Sequence, residues 1–165
     1  MLPRDYSAAT PHDDESRLAS LRVPRFIRFQ SAVPNRRGMF PGVFALANGL
    51  AHAGALSPDD YAWWRAANDH GDAAYTDPST VDPACFDREL NPGAVSWFKS
   101  TATSLISTCD GYLALLDRYG VPWTELRTDH PGMIVYEDDV QVVATPYSYP
   151  EHWRMSDGRS RVSPG

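Results

Sequence analysis

Apolar and polar residues alternate from Arg25 to Val33, in RFIRFQSAV, and a period of two predicts a β-strand. Ile27, Phe29 and Val33 fall on one face, and Phe26, Arg28 and Gln30 on the other. Pro34 ends the ladder because proline has no N–H to contribute. After Pro41 the period lengthens. Val43, Phe44, Leu46, Ala47, Leu50 and Ala51 make an apolar helical stripe, and Gly54 supplies its stop. Ser57-Pro58-Asp59-Asp60 is the strongest helix start in the chain. A serine caps, a proline suits the first turn, and two aspartates suit the positive end of the dipole. This helix runs to about Tyr75, with Gly71 weakening its end.

Thr76 to Pro83, TDPSTVDP, holds two Asp-Pro turns. A short helix is expected over Pro83 to Glu89. Asn91-Pro92 repeats the pattern of cap followed by proline. Behind it, Val95, Phe98, Ala102, Leu105, Cys109, Tyr112 and Leu116 follow in steps of three and four, which predicts a long helix. A break is expected near Asp110-Gly111, since glycine is costly in a helix interior, and Gly120 and Pro122 end it. Met133 to Thr145, MIVYEDDVQVVAT, reads as a hairpin turning at Asp138-Asp139. In that register Met133, Val135, Val140, Val142 and Ala144 face the long helix. Ile134, Tyr136, Gln141 and Val143 line the other side.

These elements predict an α+β fold: one small domain over residues 21–146, with three main helices packed on a small antiparallel sheet that includes the C-terminal hairpin. Residues 1–20 are polar and aperiodic, with the acidic run Asp13-Asp14-Glu15, and read as disordered. Residues 147–165 read as a loop-like tail, which Tyr147, Tyr149 and Trp153 can dock on the body.

Composition sharpens the class. The chain has 165 residues, 42% hydrophobic and 22% charged, the length and balance of one globular domain. Cys85 and Cys109 are far apart and form no CxxC pair, which argues against a disulfide framework and a thiolate metal site. Cys109 lies on the apolar stripe and reads as core. The N-terminus has no apolar signal region and no stretch approaches a membrane span, so a cytoplasmic protein is expected.

Charge is unevenly placed. The net charge of −6 disfavours general nucleic-acid binding. Yet Ser16 to Pro58 contains no acid and carries Arg17, Arg22, Arg25, Arg28, Arg36 and Arg37. From Asp59 to Glu151, sixteen acids stand against five bases. Either the halves pair with each other, or a basic patch on an acidic body holds an anionic small molecule or an acidic protein surface.

Two candidate sites follow. Arg36 and Arg37 sit between Asn35 and Gly38, ahead of a helix N-terminus. That arrangement suits a phosphate or carboxylate, or else a loop clamped to the acidic half. In the second helix Tyr61, Trp64, Asn68, Asp72 and Tyr75 form a stripe that begins aromatic and turns polar where a core helix stays apolar. Asn68 and Asp72 are therefore either hydrogen-bonded structure or the wall of a pocket. His70, beside Asp69 and Asp72, offers acid–base chemistry. The leading reading is a solvent-exposed residue at a fraying helix end, and its spacing from the two aspartates matches no metal site.

Ile134 to Asp139, IVYEDD, resembles the opening hairpin of the histidine-triad nucleotide hydrolases. That family carries its nucleophile in a downstream His-x-His-x-His run. Here His152 is the only histidine beyond the hairpin, so the resemblance ends at one hairpin and implies no activity. No Gly-x-Ser-x-Gly or cofactor motif occurs.

Three functions are thus expected of the sequence, in order. The first is a binding protein for an anionic ligand or partner, with Asn35, Arg36, Arg37, Trp64, Asn68 and Tyr75 as contacts. The second is a cofactor-independent acid–base enzyme, with its pocket between the Arg36-Arg37 loop and the Trp64–Tyr75 helix face and His70 or Asp72 as the proton carrier. The third is a structural interaction protein with a large exposed apolar patch.

Overall fold

The computed structural model describes residues 22–147. The expected disorder of residues 1–20 and the course of the tail after Tyr147 lie outside these residues. The first strand, β1 (Phe26–Ser31), forms where the alternation predicts it. It becomes an inner strand of a sheet of five, ordered β3-β1-β2-β5-β4 and antiparallel throughout. Its neighbours are β2 (Val95–Lys99) and β3 (Trp123–Thr128), and the hairpin of β4 (Met133–Glu137) and β5 (Gln141–Thr145) completes the sheet. Val33 falls outside β1 and is exposed.

Among the described residues, four helices accompany the sheet: α1 (Val43–His52), α2 (Pro58–Ala74), the single turn α3 (Pro78–Val81) and α4 (Thr103–Arg118). The molecule is an α+β domain with three main helices. The core joins Ile27, Phe29 and Phe98 from the sheet to Val43 and Ala47 of α1 and to Leu105, Cys109, Tyr112 and Leu116 of α4. Burial pushes the Cys109 thiol up to about 12, as suits a core residue. No helix among the described residues is long and apolar enough to cross a membrane.

The start of α2 follows the sequence closely. The Ser57 side chain accepts from the Asp60 amide, and Pro58 opens the helix. The Asp60 carboxylate then accepts from Arg118 Nη2 at 2.7 Å and from the Tyr119 hydroxyl at 2.8 Å, tying α2 to the end of α4. These two hydrogen bonds hold its carboxyl below the ordinary aspartate value. In an acid window the unfolded chain therefore binds more protons than the folded one. The contribution is complete above the ordinary value and is lost as pH falls through the folded value. Asp60→Asn should accordingly flatten the fall of the urea midpoint below about pH 4. A wild-type slope retained in that variant would remove Asp60 as its source.

Four expectations are corrected. The long helix does not begin at Pro92, because Val95–Lys99 is a strand. Val95, Trp97 and Lys99 alternate with Ser96 and Phe98, and a short apolar run satisfies either period. Pairing with β1 and β5 decides the matter, and Gly93 is consistent with it. Its φ of 74° interrupts any helix opened at Pro92, and the Pro146 ring lies 3.3 Å from where its Cβ would stand. Second, the short helix over Pro83 to Glu89 is a run of turns, with α3 placed earlier, where Asp77 caps Ser79. Third, the hairpin turns at Asp138-Asp139 but its faces differ from the expected set. A bulge at Val135 shifts the register between Ile134 and Tyr136, and Met133 and Ile134, on opposite faces of the edge strand, are both exposed. All five residues of β5, an inner strand, are buried.

The expected break near Gly111 is also missing, since α4 runs through it. A Cβ at Gly111 would stand 2.5 Å from the Trp63 ring. The glycine is there to let α2 approach α4.

Candidate functional site: a cavity at the split between β1 and β2

The sheet opens on one side of β1. β3 pairs with β1 along its whole length, from Phe26↔Thr128 to Ser31↔Trp123. On the other edge β2 pairs only with Phe26 and Ile27, and at Gln30 its place is taken by Gly42. Arg28 spans the opening. Its Nη1 donates to the Ser96 carbonyl at 2.8 Å and its Nη2 to the Phe40 carbonyl at 2.9 Å. Its Nε donates to Gln30 Oε1 at 2.8 Å. The residue is 7% exposed, and no carboxylate among the described residues pairs with it. Desolvation brings its pKa down to about 10, which leaves it cationic at neutral pH.

A cavity of about 470 Å³ adjoins this split, with Arg28, Gly42 and Ser96 in its wall. The start of α1 forms the next part of the wall, through Val43, Phe44 and Ala45. No side chain caps that helix end, since its N-cap is Gly42. Phe29, Phe98, Val95, Leu105 and Phe86 make much of the remainder apolar. Such a size and lining are usual for small-molecule pockets.

A chain of hydrogen bonds fixes the polar wall. An indole N–H can only donate, and Trp64 Nε1 donates to Asn48 Oδ1 at 2.9 Å. The Asn48 amide is thereby oriented, with its NH2 turned away from Trp64. Asn68 Nδ2 donates to the same oxygen at 3.0 Å, so Asn68 Oδ1 is left to accept from the Tyr112 hydroxyl at 2.6 Å. Burial above all pushes the Tyr112 phenol up to about 12, so it stays protonated and donates. Asn48, Asn68, Tyr112 and Thr108 all line the cavity. Gln141 joins them, its Nε2 held by the Thr76 carbonyl at 2.9 Å.

The residues expected from sequence separate into two groups. Asn68, Asp72 and Tyr75 come together on the cavity wall. Asp72 is exposed at its rim, as is Asp77. Trp64 is buried in the core behind them and acts through Asn48. His70 is exposed and lies outside the lining, and Asp69 forms an exposed ion pair with Arg65. Arg36 and Arg37 sit on an exposed turn, also outside the lining. No ion pair holds either arginine among the described residues. Asn35 builds that turn: its Oδ1 accepts from the Arg37 and Met39 amides, and its carbonyl accepts from Gly38. The loop's own bonds therefore occupy those amides.

Arg28 and Asn48 escape a reading by motif. Both carry a signal all the same: each is a polar side chain inside an otherwise apolar run, FIRF in the strand and FALANGL in the helix. No protein-family model, curated protein or solved structure matches the chain.

Proposed function

We propose that the protein binds a small organic molecule with an apolar, ring-sized body in the cavity between β1, α1, α2 and α4. One observation carries the reading. Asn48 and Asn68 are locked in orientation by Trp64 and Tyr112 at the wall of a cavity of about 470 Å³ that is otherwise largely apolar. Oriented amides on an apolar wall are what fixes a ligand's pose and selects among ligands of similar size. This keeps the expectation of a binding protein and moves its site from the Arg36-Arg37 turn to the cavity.

A thermal-shift screen with a set of single- and double-ring compounds tests the reading. A ligand at a hundred times its dissociation constant stabilises by about 2.7 kcal/mol, a shift of several degrees. Thr108 lies on the cavity wall, so Thr108→Trp should retain the circular dichroism of the wild type and lose the shift. The absence of any stabilising compound, or a shift unchanged in the folded Thr108→Trp protein, would count against the cavity as the site.

A further inference from the structure

We infer that the ligand carries a carboxylate, held by Arg28 and the open N-terminus of α1. This rests on the cavity reading and adds the chemical class of the ligand. A guanidinium has five N–H donors, and three are taken by Gln30, Ser96 and Phe40. One N–H on each of Nη1 and Nη2 is left without an acceptor among the described residues. Two N–H groups on neighbouring nitrogens match the two oxygens of one carboxylate.

The charge balance points the same way. Burying a cation without a counter-ion is costly, and natural proteins pair such groups. Arg28 is only 7% exposed, yet its three partners are all neutral. An anion delivered by a ligand completes the pair. The helix end reinforces it independently. Gly42, Val43, Phe44 and Ala45 line the same cavity, and the first turn of α1 has neither a capping side chain nor an acid. Its dipole is therefore uncompensated on the side where the arginine lies, with Gly42 against the guanidinium: a Cβ there would stand 3.5 Å from Nη1. The acids of the cavity, Asp72 and Asp77, belong to the exposed rim, and Asp77 Oδ1 already accepts from Ser79. A single guanidinium with two open donors favours a monoanionic carboxylate over a phosphate dianion, which usually draws on further cations.

Matched acids and amides test it. Indole-3-acetate and 1-naphthoate are titrated beside indole-3-acetamide and 1-naphthamide, with phenyl phosphate as the other anion, at low and high salt. The acids should bind at least ten times more tightly than their amides, and phenyl phosphate more weakly than the acids. In Arg28→Met the ratio of acid to amide affinity should fall toward one, while Arg28→Lys keeps part of the preference. If the amides bind as well as the acids in the wild type, the carboxylate assignment is wrong and the cavity reading survives. Phosphate preferred over carboxylate overturns the ligand class. If none of the five compounds binds, both readings fall. The wild-type ratio of acid to amide settles the assignment even where Arg28→Met does not fold.

Discussion

Replacing Tyr112 by alanine should lower stability by about 3–5 kcal/mol, the usual cost of deleting a buried aromatic ring. Tyr112 is 2% exposed and holds three neighbours at once. Its ring meets Phe44 edge-on with centroids 4.9 Å apart and Trp63 at 5.1 Å, and its hydroxyl donates to Asn68. The deletion therefore loosens α4 from both α1 and α2. Tyr112→Phe separates packing from the hydrogen bond. It should cost only about 1–2 kcal/mol, yet it leaves Asn68 Oδ1 without its donor. Ligand affinity should then fall more than stability does, because the Asn68 amide is free to turn. Urea denaturation of both variants reads the first effect and ligand titration the second. An alanine variant within about 1 kcal/mol of the wild type would contradict the core as described.

Gly132→Ala should be comparably severe, at about 3 kcal/mol or more, for a reason that no contact of a side chain reveals. Gly132 has a φ of 126°, which other residues rarely adopt, and a Cβ there would stand 2.0 Å from the Thr145 carbonyl oxygen. The obstacle is backbone, so no rotamer change relieves it. Thr145 pairs with Met133, the next residue, so the displaced chain pulls β4 from β5. Gly38→Ala is the control. Its φ of 72° is also left-handed, but nothing lies within 4 Å of its Cβ, and the loss should be about 1 kcal/mol. Equal losses at the two positions would mean that conformational preference alone matters and that the collision is relieved.

Much of this architecture is legible in the chain. Ser57-Pro58 begins α2, Gly54 follows α1, and Asp138-Asp139 turns the last hairpin, each through local chemistry that acts where it stands. Sequence reasoning fails where local pattern is ambiguous and tertiary contact decides. Val95 to Lys99 satisfies a strand and a helix alike, and the sheet claims it. Gly111 weakens a helix in isolation, but here its missing side chain makes room for Trp63. The candidate site shows the same division. The polar turn of the α2 stripe at Asn68 and Asp72 marks the cavity wall, since polarity on a helix face needs partners wherever the face goes. Arg36 and Arg37 stand out as an adjacent pair, whereas the arginine in the cavity wall stands alone in β1. Its importance comes from the split between β1 and β2, which joins residues 28, 42 and 96 and has no trace in local spacing.

The central claim is that a ligand enters this cavity, and amide chemical shifts on titration of the isotope-labelled protein with 1-naphthoate test it most directly. The account predicts saturable shifts at Gly42, Val43, Ala45, Ser96 and Thr108, with the Asn48 and Asn68 side-chain amides moving together. Shifts confined to the Arg36-Arg37 turn, or no saturable shift at all, would contradict it.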